Sequence, residues 1–306
     1  MSSRTRATCS SRPSCPTKCS RSVTAVPSAT AIRVTPFGGL TSDPRGMAAQ
    51  VEIAAENRSD SLALAREAVF SPVADGAVVE QTVRRLGEAI GLGLIEVGER
   101  LPPESELSVR LAIAPMTLRE ALRILREAGY LETRRGRGGG TFVRRSLPQQ
   151  PAREARRHLA RLTVEELSDL MDYRVAVSGA AVALAAERRS DADLVALEGL
   201  VERMAGLDAF APYRRLDHRF HLAVASAARS PRLVAAETAI QVDLAKLLRL
   251  IPESAEMLHV SNEQHRELLA AIRAGAAARA RGVMETHVRG TADFLVGLRL
   301  GKLGES

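Results

Sequence analysis

Two apolar helical stripes separated by three residues, and followed at once by an arginine- and glycine-rich hairpin, constrain this chain more than any other feature. From Pro115, residues Leu118, Leu122 and Leu125 recur at i, i+4 and i+7, the spacing of one helical face, and Gly129 stands where the helix should stop. Arg119, Arg123 and Arg126 fall on a neighbouring stripe about 100° away. Upstream, Leu101-Pro102-Pro103 opens a short helix: Pro103 suits its first turn, Glu104 and Glu106 lie at the favourable end of the helix dipole, and Leu107 and Leu111 turn inward. Ala112-Ile113-Ala114 then makes a tight connection. Before them, GAVVEQTVRRLGEAIGLGLI (76–95) spaces Val79, Val83, Leu86 and Ile90 along a third amphipathic helix that Gly91 and Gly93 end. After Gly129, Tyr130-Leu131-Glu132-Thr133 and Thr141-Phe142-Val143 have the composition of two short strands around RRGRGGG (134–140). Helix, helix, turn, helix and basic hairpin predict a winged helix-turn-helix over residues 73–145.

Such a module is built for double-stranded DNA. A helix in the major groove sets side chains against base edges, and arginine reads guanine through paired hydrogen bonds. Glycines in the hairpin let the backbone approach the duplex, and tip arginines suit phosphate or a narrow minor groove. The stripe adds Arg123 to the candidate contacts. The net charge of +7 favours a polyanionic partner, yet residues 151–306 carry 22 basic against 21 acidic side chains, so the case rests on the motif and not on a global basic surface.

SLPQQPAR (146–153) is a linker in which helix cannot run freely. From 154 to 300 the chain shows only helical periodicity, in six segments: 164–188, 193–205, 213–228, 231–250, 261–275 and 276–300. These predict a C-terminal antiparallel all-α helical bundle, so that the whole protein is mainly α. Within it, Asp217 and His221 stand at i, i+4 and project from one helical face. His265 follows Ser261 and Gln264, which have the pattern of a capping box and would place it early in the fifth helix, and His287 lies midway along the sixth. Three histidines and a carboxylate from three helices suit a divalent ion, zinc first, with nickel or manganese as alternatives. Open coordination positions leave two further readings: a metal-dependent hydrolase, and a regulator that senses the metal itself.

Residues 1–60 have the composition of a disordered or mis-annotated N-terminal extension, with Met47 an alternative start. All three cysteines lie there, so the folded body has no disulfide framework. No apolar run is long enough to span a membrane and residues 1–46 lack an apolar signal core, so a cytoplasmic location with no membrane partner is expected.

LPPESELSVRLAIAPMTLREALRILREAGYLETRRGRGGGTFV (101–143) resembles the DNA-binding domain of the GntR family of bacterial transcription regulators. The resemblance implies a non-enzymatic regulator, DNA contacts at Thr117, Arg119, Arg135, Gly136 and Arg137, and a homodimer on a two-fold operator. Ser105, where an arginine is usual, and Ala114-Pro115, where Ser/Thr-Arg is usual, depart from the pattern. Residues 154–300 resemble the FCD effector domain of the FadR-like branch: Asp217, Phe220 and His221 match D-x-x-F-H, and the later histidines match His265 and His287. That resemblance implies a bound metal, a small carboxylate-containing effector gripped by Arg174, and repression relieved by the effector. Ser178 replaces the usual acidic residue one turn after Arg174, and Ser230 a common asparagine.

Overall fold

The computed structural model describes residues 62–73, 77–148, 152–250 and 254–301. The extension at 1–60 lies outside the described residues. Among those described, the chain forms eleven α-helices, a 3-10 turn and one two-stranded antiparallel sheet, and no helix is long and apolar enough to cross a membrane.

The winged module follows the sequence closely. Helix α2 (Val78–Gly91) packs on α4 (Pro115–Glu127), with the short α3 (Glu104–Arg110) against α4. Leu107, Leu111, Leu118, Leu122 and Leu125 are all buried, as their spacing predicts. In α2 the buried stripe is Thr82, Leu86, Ala89 and Ile90, while Val79 and Val83 are half-buried. A threonine can replace valine on the inner face because its hydroxyl donates to the Val78 carbonyl at 2.7 Å and so carries no unpaired polar atom inward. Helix α4 ends as predicted: Gly129 adopts φ 82°, its N–H donates to the Arg126 carbonyl, and Tyr130 N–H donates to Leu125. Strands β1 (Leu131–Arg134) and β2 (Gly140–Val143) pair from Leu131 opposite Val143 to Arg134 opposite Gly140.

The second half is helical throughout. Helix α6 (Val164–Arg188) has the predicted bounds and begins with a capping box between Thr163 and Glu166; α7 (Asp191–Ala205) begins with another between Ser190 and Asp193. Then come α8 (Phe210–Ala227), α9 (Pro231–Leu247), the 3-10 turn Leu248–Leu250, α10 (Ala255–Arg273) and α11 (Ala277–Arg299). The final helix lies antiparallel along α6: Arg299 donates to the Leu162 carbonyl at one end, and the Arg281 side chain crosses Gly179 farther along.

Two helices were not expected. Helix α5 (Ala152–Arg161) begins inside the predicted linker, and α1 (Ala63–Val69) precedes the predicted module. Both are short, and α5 is arginine-rich with an inner face of only Ala155 and Leu159, too little to stand out as periodicity. Helix α1 buries Leu62, Ala65, Val69 and Phe70 and touches α2, α8 and α9, so it joins the two halves. The start of α10 also differs from expectation: its cap is Ser254, whose hydroxyl accepts from Met257 N–H, and Ser261 lies one turn and more inside the helix. His265 is therefore mid-helix.

Candidate metal centre and nucleic-acid interface

Helices α8, α10 and α11 converge in the bundle and bring Asp217, His221, His265 and His287 together. All four are buried, and one potential ligand atom from each lies within 4.8 Å of the others. Asp217 Oδ1 is 3.3 Å from His265 Nε2 and 3.9 Å from His221 Nε2. His287 is oriented by Gln264, whose Oε1 lies 2.9 Å from Nδ1; with the proton on Nδ1 donated there, the Nε2 lone pair is left bare. Gln264 thus serves the histidine of the next helix and not a helix cap. Arg214 does the same for Asp217: its Nη1 lies 3.5 Å from Oδ2, leaving Oδ1 toward the imidazoles, while its guanidinium covers the Phe210 ring at 4.6 Å.

The cluster holds unsatisfied polar atoms, of which a cation would relieve the carboxylate oxygen and one ring nitrogen of a histidine. Asp217 Oδ1, His221 Nδ1 and both ring nitrogens of His265 are buried without hydrogen-bond partners, and each such group costs about 1–3 kcal/mol if nothing binds it. Burial drives the histidine pKa values down, that of His265 to about 4 and those of His221 and His287 well below 6.5, so the rings are neutral donors near pH 7. Burial also raises the Asp217 carboxyl, but Arg214 above all, then His265, His218 and His287, overcome it and hold it at about 2. One carboxylate and three neutral imidazoles form a donor set that could hold a metal ion.

Arg174, on α6, is 2% exposed and reaches the same place, with Nη2 3.5 Å from His221 Nε2. Its Nε and Nη1 have no partner. Beside it runs a polar chain that local spacing could not reveal. Ser178 donates to Glu237 at 2.7 Å, Gln241 Nε2 donates to the other Glu237 oxygen at 2.7 Å, and Gln241 Oε1 lies 2.7 Å from His218 Nδ1. The acidic group missing at position 178 is thus supplied from α9. Burial raises the Glu237 pKa against the pull of Gln241, Ser178 and Arg174. Ser230 has a separate task, capping α9 by accepting from Leu233 N–H. His158 is half-buried and His259 exposed, both outside the cluster.

At the other end of the molecule, Arg119 projects from α4 and pairs with Glu104 at 3.0 Å. Thr117 is half-buried on the same helix. Arg123 is clasped by Glu120 at 2.6 Å and Glu127 at 2.5 Å, so two carboxylates share its charge and the expected cationic stripe is partly neutralised. The wing tip is different. Arg135, Gly136 and Arg137 are exposed, and neither arginine makes an ion pair among the described residues. Gly136 and Gly138 hold φ of 91° and 86°, a backbone that L side chains rarely adopt. A Cβ on Gly139 would stand 2.5 Å from the Arg134 carbonyl oxygen, so the hairpin closes only around glycine.

Residues 78–143 match the gntR family of bacterial regulatory proteins, and residues 169–290 match the FCD domain. The chain is 36% identical over 220 residues to the HTH-type transcriptional regulator designated RmpR of Mycobacterium gastri, covering 71% of this chain and 80% of that one. It is 32% identical over 163 residues to the Glc operon transcriptional activator of Escherichia coli strain K12, covering 51% and 62%. Among solved structures, E. coli McbR/YncC aligns with a TM-score of 0.45 and 21% identity over 72% of this chain and 98% of that one. The two family models and the two sequence relatives are of transcriptional regulators and not of enzymes, which sets the hydrolase reading aside. A winged helix followed by a helical bundle, matched along both halves and across most of a relative's length, makes this chain a member of the gntR family of DNA-binding transcriptional regulators, of the type that carries an FCD domain.

Proposed function

We propose that this regulator is a homodimeric repressor whose bundle binds a divalent metal ion, zinc in the first place, through Asp217, His221, His265 and His287, and takes the carboxylate of a small organic acid on Arg174. The observation that carries the reading is the Arg174 guanidinium, fully buried beside the four-residue cluster with two nitrogens unpartnered. A planar guanidinium suits paired hydrogen bonds to a carboxylate, and a carboxylate bridging Arg174 and a bound cation would satisfy both. The operator contacts are assigned to Thr117, Arg119, Arg135, Gly136 and Arg137, with Arg123 in a lesser role because of its two carboxylate partners.

Effector and operator are linked through free energy: a ligand that binds one placement of the two winged modules better than another changes operator affinity by that difference. Helix α8 gives the linkage a physical course. It bears Asp217 and His221 on its inner face, and Arg219 on another face pairs with Glu96 of the winged module.

The test is metal content per protomer in untagged protein, with a His265→Ala variant, followed by anisotropy titrations of the chain's own upstream DNA with two- to six-carbon carboxylates. About one equivalent of metal, lost in the variant, and a carboxylate-dependent fall in DNA affinity that Arg174→Met abolishes are expected. A metal-free protein that takes up none, with DNA binding indifferent to every carboxylate, would overturn the reading. A change on metal addition alone would favour direct metal sensing, and a rise in affinity would reverse the sign, as in the relative named as an activator.

A further inference from the structure

The two halves of the chain meet around a cleft to which the proposed function assigns no ligand. It has a volume of about 320 Å³ and lies between the loop after α2 and the helices α7 and α8, at the lower end of the size range for ligand pockets of ~300–1,000 Å³. Its floor is apolar, from Ile95, Leu207 and Leu216, and its rim carries Val97 and Arg203, Arg215 and Arg219 against the single carboxylate of Glu96.

The charge at this rim is not balanced. Glu96 is already engaged by Arg219. Arg203 and Arg215 make no ion pair among the described residues, and Arg219 Nε is buried without a partner. Arg215 is half-buried, and burial lowers its pKa, so it stands over the apolar floor with its water partly stripped and nothing in exchange. A desolvated cation costs free energy that an anion recovers, and it does so more in a sheltered cleft than in open water. The apolar floor then selects among anions, since it favours those that bring apolar surface to cover it.

We propose that this cleft is a second ligand site, which takes a small amphiphilic carboxylate with its charged group on Arg215 and Arg219 and its apolar part on Ile95, Leu207 and Leu216. The site is separate from the buried cluster, because these arginines project from other faces of α8 than Asp217 and His221. Its occupant would compete with Glu96 for Arg219. The loop bearing Glu96 is held close to α8 at Gly93, where a Cβ would meet the Arg219 side chain at 3.2 Å and the Arg215 carbonyl at 3.4 Å. A ligand there acts directly on the contact between bundle and winged module, with no need to pass through the metal cluster.

The chain contains no tryptophan, so Val97→Trp, at a rim position 40% exposed, sets one fluorophore at the cleft. In the full chain, titration with octanoate should shift its emission saturably. Arg215→Gln in the same background should raise the Kd at least tenfold, and Arg174→Met should leave it unchanged. Octanol and inorganic phosphate, each carrying half of the chemistry, should bind at least tenfold more weakly. The proposal would be overturned by no saturable shift with octanoate, by a shift indifferent to Arg215→Gln, or by loss of the shift in Arg174→Met, which would place the carboxylate in the bundle. Octanol or phosphate binding as well as octanoate would refute the amphiphile. Circular dichroism and DNA binding by the Arg215→Gln chain show whether it is folded; if it is not, Arg215→Lys takes its place, with a retained site expected and its loss counting against the proposal.

Discussion

Replacing Ala114 by serine should stabilise the winged module. Ala114 caps helix α4 with φ −63° and ψ 142°, the extended conformation a capping residue needs, yet its side chain offers no acceptor. The backbone is thus prepared and only the oxygen is missing. Four other helices in the chain show the geometry the oxygen would adopt: the side chains of Thr163, Ser190, Ser230 and Ser254 each accept from the N–H three residues on, at 3.1, 3.3, 3.5 and 3.4 Å. The hydroxyl at position 114 would take the Thr117 N–H in the same way. Because position 117 is threonine and not glutamate, the reciprocal bond of a capping box is absent, so the gain should be that of a single cap, about 1 kcal/mol within a range of about 0.5–2. For a unit of this size that corresponds to a rise of roughly 4–8 °C in Tm per kcal/mol. Scanning calorimetry of the full chain reads it in the transition of the winged module, with Thr163→Ala as the converse change in the bundle. An Ala114→Ser melting temperature within 1 °C of the parent, alongside a clear loss in Thr163→Ala, would refute the reasoning.

Arg119→Ala should weaken operator binding by about 1–3 kcal/mol, the worth of a base-reading pair, whereas Arg123→Ala should cost less because Glu120 and Glu127 already share its charge; equal losses in anisotropy titrations would contradict the assignment. Gly139→Ala should destabilise the hairpin by about 1–3 kcal/mol and reduce DNA affinity with metal content unchanged, since the added carbon meets the Arg134 carbonyl oxygen at 2.5 Å; unaltered DNA binding would count against a rigid wing. In metal-free protein, stability should fall as pH drops from 6.5 toward 4. His265 is neutral in the folded state down to about 4 but takes a proton from 6.5 downward when unfolded, and Asp217, at about 2 when folded against 3.8, extends the loss to lower pH. A urea midpoint independent of pH between 7 and 4 would contradict the burial of His265 in neutral form.

The winged module was nearly complete in the sequence because its determinants are local. Pro115, the leucine spacing, Gly129 and the glycines of the wing each act within a few residues of themselves. The candidate metal cluster was legible for a mixed reason: Asp217 and His221 announce themselves by spacing, while His265 and His287 join them only as histidines on other helices of the bundle, a grouping that the resemblance supports. What stayed hidden depends on partners far along the chain. Glu237 answers Ser178 across 59 residues, and Gln264 answers His287 across 23, so neither pairing leaves a local spacing, and Gln264 has instead the pattern of a cap. Ser261 has the composition of a helix start but lies within α10, because the apolar residues Met257 and Leu258 before it carry the helix back to Ser254. On α2, Leu86 and Ile90 are buried as their spacing predicts, but Thr82 takes the inner position expected of Val83, because it hides its hydroxyl in the helix's own backbone, which no hydrophobicity pattern registers.

The antiparallel pairing of α6 with α11 ties the first long helix of the bundle to its last, with Arg299 reaching the carbonyl of Leu162 across 137 residues. Contacts of that sequence separation pay the largest loop-closure entropy and form late when a chain folds. His287 rides on α11, so the ligand cluster is assembled only once that closure is made. During synthesis the winged module, with its short-range contacts, can fold while the bundle still lacks its closing helix. Under the proposed function, metal uptake would therefore report more than the presence of four side chains, because it would follow the closure that completes the bundle.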